Sequence, residues 1–121
     1  MKILYVEDNA ANARLLAKYL ALKSGIALLE APTGEAGVAL AREQRPDLVL
    51  MDINLPRMSG VEALAALRAD PDTAGIAVVA VSADALPDKI RAALAAGFDD
   101  YLTKPIDFRR LDAVLERHRP A

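Results

Sequence analysis

A short apolar run in the middle of the chain, closed by a single acid, sets the limits on the fold. Residues 48–51 (Leu-Val-Leu-Met) are all apolar, and Asp52 follows them directly. A run of this kind is typical of a strand that is buried on both faces of a sheet. Pro56 and Gly60 come soon afterwards, and neither suits a central strand. The strand is therefore predicted to end near Asp52, at the edge where open α/β sheets bind ligands.

Apolar runs alternate with amphipathic segments along the chain. Strands are predicted over residues 3–6, 26–30, 48–52, 76–81 and 101–103, with a helix after each. In the first helix, Leu15, Tyr19 and Leu22 fall on one apolar stripe, with Leu16 and Leu20 beside them. Strict alternation predicts parallel strands, right-handed crossovers and helices on both faces. At this length we expect an α/β, flavodoxin-like (βα)5 three-layer sandwich with strand order 2-1-3-4-5.

Composition excludes several classes of protein. The chain has 121 residues, which predicts one domain over residues 1–121 and no output domain. A net charge of −2 gives no sign of nucleic-acid binding, and the absence of cysteine excludes disulfides and thiolate metal sites. No apolar run reaches the roughly 20 residues of a membrane span. Glu7 and Asp8 come too early for a signal peptide, so a cytoplasmic location is predicted.

Polar side chains stand at the ends of most of the predicted strands. They are Glu7 and Asp8 after the first strand, Asp52 after the third, Ser82 after the fourth and Lys104 after the fifth. In a parallel sheet these ends lie at one edge, so we expect the side chains to converge in one shallow pocket. Each residue by itself is most simply a cap or turn residue. Their joint occurrence at neighbouring strand ends favours a functional site.

Carboxylates brought this close together need a counter-ion, because each negative charge makes ionisation of the neighbouring carboxyl groups less favourable. Mg²⁺ fits, since it takes carboxylates, waters and phosphate oxygens. We expect Asp8 and Asp52 to be direct ligands, Glu7 to hold a metal-bound water, and the backbone carbonyl of Asn54 to add a ligand.

The remaining polar groups suit a phosphoryl group. Lys104 would bind one of its oxygens as a point charge, and the Ser82 hydroxyl would hydrogen-bond the same group. Phosphoryl transfer depends mainly on positioning and charge neutralisation, which this set supplies. The hypothesis is that Asp52 is a nucleophile that accepts a phosphoryl group.

The chain resembles a two-component response-regulator receiver domain over essentially its whole length, either as a single-domain regulator or as the receiver of a hybrid histidine kinase. The resemblance rests on residues 6–9 (Val-Glu-Asp-Asn), 51–60 (Met-Asp-Ile-Asn-Leu-Pro-Arg-Met-Ser-Gly), 81–83 (Val-Ser-Ala) and 101–105 (Tyr-Leu-Thr-Lys-Pro). It implies that a histidine kinase or a histidine phosphotransfer protein phosphorylates Asp52, with Mg²⁺ or Mn²⁺ as cofactor.

The same resemblance assigns roles to the other residues. Ser82 matches the switch hydroxyl, where threonine is commoner, and Tyr101 matches the switch aromatic. Lys104 matches the invariant lysine, and a cis bond is implied between Lys104 and Pro105. The face formed by the fourth helix, fifth strand and fifth helix is implied to change shape and to bind a downstream protein.

Asn54 and Asp84 match positions that tune dephosphorylation in the family. The direction of their effect does not follow from the sequence.

Two other classes of protein share parts of the pattern. Aspartyl-phosphate hydrolases of the haloacid-dehalogenase type use a second Asp two positions after the nucleophile as general acid, but here that position is Asn54. A flavodoxin needs a phosphate-binding loop after the first strand, and the acids Glu7 and Asp8 would repel phosphate. The leading interpretation is therefore a signalling switch that catalyses only its own phosphorylation and dephosphorylation and is otherwise no enzyme.

Overall fold

The computed structural model describes residues 1–120, in which strands and helices alternate from one end to the other. Their bounds are β1 Lys2–Val6, α1 Ala10–Ala21, β2 Ala27–Ala31, α2 Gly34–Gln44, β3 Leu48–Asp52, α3 Gly60–Ala69, β4 Ala77–Ser82, α4 Pro87–Ala96, β5 Asp100–Thr103 and α5 Phe108–Arg117. The strands form one sheet with the order β2-β1-β3-β4-β5, and every pairing is parallel. The predicted flavodoxin-like topology is confirmed.

The central strand is the one predicted from the apolar run. All of β3 is buried: β1 and β4 pair with its two edges, and its apolar side chains enter the layers on the two faces of the sheet. Its register sets Met51 opposite Val6 of β1 and Asp52 opposite Val81 of β4. The carboxyl ends of these strands therefore lie side by side, which is what a site at this edge requires.

Helices cover both faces of the sheet. One apolar layer contains buried residues of α2, α3 and α4, and the other contains buried residues of α1 and α5. Alternate residues of β1 pack into opposite layers. Leu4 and Val6 belong to the first layer, and Ile3 and Tyr5 belong to the second. This is the period-2 alternation of a strand buried on both faces.

The first helix buries a narrower apolar stripe than its sequence pattern predicts. Leu16 and Leu20 are buried, but Leu15 is 54% exposed and Leu22 is 84% exposed, so the prediction was wrong for these two. Leu22 lies beyond the last helical residue and caps the helix with its backbone. Tyr19 stacks on Phe108 of α5 at a ring-centroid distance of 3.9 Å, at the side of the stripe.

Some boundaries shift by one residue: β4 begins at Ala77 and includes Ser82, and β5 begins at Asp100. Within residues 1–120, no helix combines the length and the apolar character that crossing a bilayer requires.

Candidate functional site

The structure brings the predicted polar residues together at the carboxyl edge of the sheet. Glu7 directly follows β1, Asp52 and Ser82 are the last residues of β3 and β4, and Lys104 directly follows β5. The Lys104 ammonium lies 2.6 Å from Oε1 of Glu7 and 2.9 Å from Oδ2 of Asp52. The amine of the fifth strand thus meets the acids of the first and third.

The acids form a group that can hold a cation. Carboxylate oxygens of Glu7, Asp8 and Asp52 lie within 4.8 Å of one another. The side chains of Glu7 and Asp52 are only 1% and 4% exposed, whereas Asp8 is exposed at the mouth. The two inner acids are therefore shielded from solvent, and both contact the Lys104 ammonium. An all-oxygen donor set with one solvent-facing member fits a hard divalent ion.

Burial and proximity control the protonation of the inner groups. Burial raises the pKa of Asp52, and its hydrogen bond with Glu7 raises it further, against the opposing effects of Lys104 and the Asn54 N–H. Burial also disfavours the charge on Glu7, but hydrogen bonds with Asp52, Lys104 and Asn12 outweigh it and lower its pKa to about 2. Burial opposes the Lys104 charge as well, but Glu7 and Asp52 raise its pKa overall. The lowered pKa of Glu7 and the raised pKa of Lys104 favour a charged pair between these two residues.

The loop after β3 binds the Asp52 carboxylate oxygen that Lys104 does not contact. The backbone N–H of Asn54 donates to Oδ1 of Asp52 at 2.9 Å. The loop closes where Gly60 N–H donates to the Ile53 carbonyl at 3.0 Å. A Cβ at Gly60 would overlap the Asp52 carbonyl oxygen and lie 2.7 Å from Cα of Ile53, so the close approach requires glycine. The assignment of the Asn54 carbonyl as a metal ligand stays a prediction.

Ser82 and Tyr101 are joined through the backbone of Asp84. The Asp84 N–H donates to Oγ of Ser82 at 3.1 Å, and the Tyr101 hydroxyl donates to the Asp84 carbonyl at 2.6 Å. The Asn54 side-chain amide is also near Ser82 Oγ, at 3.4 Å. Sequence reasoning missed this bridge, because it runs through main-chain atoms that carry no residue-type signal.

The peptide bond between Lys104 and Pro105 is cis, as predicted. The Lys104 N–H donates to the Ser82 carbonyl at 2.8 Å, which fixes the start of this turn against the end of β4.

Two residues that were not predicted as site residues donate hydrogen bonds to Glu7. The Tyr5 hydroxyl and the Asn12 side-chain amide each donate to Oε1 of Glu7 at 3.1 Å. Tyr5 lies among apolar residues of β1 (Ile3, Leu4 and Val6), so its position predicts a core ring and gives no hint of the hydroxyl's partner.

Comparisons with known proteins agree with this geometry. A family model for the response regulator receiver domain matches residues 3–116. Protein PilH of Pseudomonas aeruginosa is 40% identical, covering 94% of this chain and 97% of PilH. Hybrid signal transduction histidine kinase G of Dictyostelium discoideum is 41% identical over 99% of this chain, and the histidine-protein kinase BarA of Escherichia coli is 35% identical over 99%. The chain spans only 4% and 13% of the lengths of those two kinases.

Solved structures match over nearly the whole chain. The receiver domain of sensor histidine kinase PA1611 from Pseudomonas aeruginosa, with Mg²⁺ in its active-site cleft, is 33% identical with a TM-score of 0.87 and coverage of 97% of this chain and 95% of that one. The Mn²⁺-bound response regulator Rcp1 is 31% identical with a TM-score of 0.77 and coverage of 96% and 89%. The Ssk1 receiver of Saccharomyces cerevisiae, solved with the phosphotransfer protein Ypd1, is 30% identical with a TM-score of 0.87 and coverage of 98% and 88%.

The chain therefore belongs to the family of response regulator receiver domains, the signalling domains of two-component phosphorelays. Receiver domains are signalling switches and not classical enzymes. They bind Mg²⁺ or Mn²⁺, and the acidic group at this sheet edge fits that requirement.

Proposed function

We propose that Asp52 is the phosphoacceptor of this domain and that it takes its phosphoryl group from a phosphohistidine on a histidine kinase or a histidine phosphotransfer protein. One observation carries the proposal: the Lys104 ammonium lies 2.9 Å from Oδ2 of an Asp52 that shares its site with two further acids. Phosphoryl transfer needs a positioned nucleophile and positive charge near the transferred group. Asp52 is the nucleophile, and Lys104 and a cation bound by the clustered acids would supply the charge.

The reaction follows from the placement of these groups. A carboxylate oxygen of Asp52 attacks phosphorus, an oxygen–phosphorus bond forms as the nitrogen–phosphorus bond of the donor breaks, and the histidine nitrogen leaves with the electron pair. Asp8 and Asp52 would hold a divalent ion, with Glu7 binding one of its waters, and the ion's positive charge would offset the charge on the phosphoryl oxygens. Lys104 would bind another phosphoryl oxygen through its ammonium group.

The domain needs no further substrate. We propose that it contributes catalytic groups only to its own phosphorylation and dephosphorylation. The position of the general acid in haloacid-dehalogenase-type hydrolases is filled by Asn54, whose carboxamide does not donate a proton in this way. Asn54 and Asp84 border the phosphorylation site, which supports their assignment as residues that tune dephosphorylation.

The phosphoryl group would reach the partner-binding face through Ser82. In the proposed active state the Ser82 hydroxyl turns to a phosphoryl oxygen, which loosens its bond from Asp84 and lets the Tyr101 side chain move. A surface cleft of about 390 Å³ beside Tyr101, lined also by Val61 and Ala92, offers room for that movement. The face of α4, β5 and α5 would then present a different shape to a downstream protein.

The wider context of the domain is also part of the proposal. We propose that residues 1–121 act as one receiver unit and that its recognition partners are proteins, not nucleic acids or membranes. The cytoplasmic location inferred from the sequence stays a prediction.

Incubation with Mg²⁺ and acetyl phosphate, followed by mass spectrometry, tests the proposal. Wild type should gain one phosphoryl group per chain, and Asp52→Asn should gain none. Sustained hydrolysis of phosphomonoesters over many turnovers would instead support the hydrolase alternative.

A further inference from the structure

Glu7 is a buried carboxylate that depends on its hydrogen-bond donors. Its side chain is 1% exposed, so water does little to stabilise its charge. Lys104, Tyr5 and Asn12 all donate to the same oxygen, Oε1, at 2.6, 3.1 and 3.1 Å. A buried carboxylate that loses a donor costs more free energy than the bond contributed, because the charge stays uncompensated.

Lys104 has a second task in the proposed function, on which this inference rests. Its ammonium also bonds Asp52, and it must follow the phosphoryl oxygens once they are attached there. Because those oxygens would extend beyond the carboxylate, we expect the ammonium to move away from Glu7 as it binds them. Among the described residues, Glu7 would then keep only neutral donors: Tyr5 and Asn12 at Oε1, and the Asn9 backbone N–H, 3.4 Å from Oε2.

Tyr5 and Asn12 are placed to compensate for that loss. Tyr5 is 1% exposed and belongs to β1, where it pairs with Glu30 and Leu50 on its two sides, so its hydroxyl is held in position. Asn12 lies in the first turn of α1, and its backbone N–H donates to the N-cap side chain of Asn9 at 3.1 Å. Within residues 1–120 neither side chain has a hydrogen bond to Asp52, so a phosphoryl group there would break no bond of theirs.

We propose that Tyr5 and Asn12 are positioning residues that hold Glu7 while Lys104 moves to the phosphoryl group. They act through Glu7 and Lys104 and touch no reacting atom. By keeping the buried carboxylate satisfied, they release the lysine at low cost and so determine how tightly the site holds a phosphoryl group.

The test compares two binding steps in Tyr5→Phe and Asn12→Leu, which remove a donor with little change of shape. Titration calorimetry measures binding of Mg²⁺ alone, and then binding of beryllofluoride, a phosphoryl mimic, at saturating Mg²⁺. Each variant should weaken beryllofluoride binding about five- to tenfold, and should change Mg²⁺ affinity less than about twofold, because Lys104 leaves Glu7 only in the second step.

Tyr19→Phe is the matched control. It also removes a single tyrosine hydroxyl, one that donates to Asp112 at 2.7 Å on the surface between α1 and α5. Its beryllofluoride affinity should equal that of wild type.

Three results would separate the possibilities. Equal beryllofluoride affinity in wild type, Tyr5→Phe and Asn12→Leu would overturn the inference. A loss of the same size in both binding steps would also overturn it, since the two residues would then only shape the metal site. Beryllofluoride binding that is absent from wild type, or that persists in Asp52→Asn, would instead overturn the proposed function itself.

Discussion

At the scale of single residues, Lys104 carries the electrostatics of the site. Its ammonium bonds two carboxylates that are almost fully buried, and its own side chain is 19% exposed. Removing one partner of such a cluster leaves charge uncompensated in a poorly solvated place. The site is therefore held together by the same residue that is proposed to bind the phosphoryl group.

Lys104→Ala should lower the free energy of unfolding by about 2–3 kcal/mol in the absence of divalent ions. The domain should still fold, since small domains have about 5–15 kcal/mol of stability. Added Mg²⁺ should stabilise the variant more than wild type, because it takes over the neutralisation of the acids. Urea unfolding with and without Mg²⁺ measures both effects.

Lys18→Ala, at an exposed position of α1, is the control and should change stability by less than about 0.5 kcal/mol. A Lys104→Ala variant as stable as wild type, or one that gains no more from Mg²⁺, would contradict the role assigned to Lys104.

The raised pKa of Asp52 predicts a pH dependence of metal binding. A metal ligand must be deprotonated, so protons compete with Mg²⁺ for this carboxylate. As the pH falls through the pKa of Asp52, the Kd for Mg²⁺ should rise, approaching about tenfold per pH unit. Because burial raises this pKa, the loss should begin at a higher pH than for an exposed aspartate. Calorimetric Kd values that stay constant down to pH 4 would contradict the interpretation.

At the scale of elements, the turn from β3 into α3 depends on a close backbone approach at Gly60. Ala at this position would push a methyl group into the backbone of Asp52 and Ile53. We expect Gly60→Ala to cost about 1–3 kcal/mol of unfolding free energy, as overpacking does, and to slow phosphorylation of Asp52.

Gly75→Ala provides the comparison, because a Cβ there would meet nothing within 4 Å. It should leave both unfolding in urea and phosphorylation by acetyl phosphate near their wild-type values. Similar behaviour of the two variants would show that the turn tolerates the added methyl group.

Arg68 ties the end of α3 to the segments that precede β4 and β5. Its guanidinium donates to the carbonyls of Ala74 and Ile76 at 2.9 and 2.6 Å and to Asp99 at 2.9 Å. Arg68→Ala should cost about 1.5–3 kcal/mol in thermal or urea unfolding, because hydrogen bonds that involve a charged group are the stronger ones.

Arg42→Ala tests whether the effect is specific to Arg68. Arg42 pairs with Asp70 at 3.0 Å but its side chain is 52% exposed, so its loss should cost less than about 0.5 kcal/mol. Equal effects of the two substitutions would mean that the bonds of Arg68 add nothing beyond a surface ion pair.

At the scale of the whole molecule, the sheet explains why the site was predictable. The five strands of residues 1–120 are recognisable in the sequence as apolar runs. Because they pair in parallel, their carboxyl ends lie at one edge of the sheet. The residues at those ends, Glu7, Asp52, Ser82 and Lys104, therefore had to meet once the strand order was right. Period and spacing in the sequence carry this information directly.

Contacts between helices and between side chains were not predictable in the same way. In α1, Leu16 and Leu20 are buried and Leu15 is not. Which of these residues face the sheet depends on how the helix packs across it. The bonds of Tyr5 and Asn12 to Glu7 depend on side-chain directions that residue type does not fix.

The most direct measurement of the central claim is a crystal structure of the domain with Mg²⁺ and beryllofluoride. The predicted result is beryllium bonded to a carboxylate oxygen of Asp52, Mg²⁺ held by Asp8 and Asp52, and the Lys104 ammonium bound to a fluoride. An adduct at another residue, or Mg²⁺ bound away from these acids, would contradict the account.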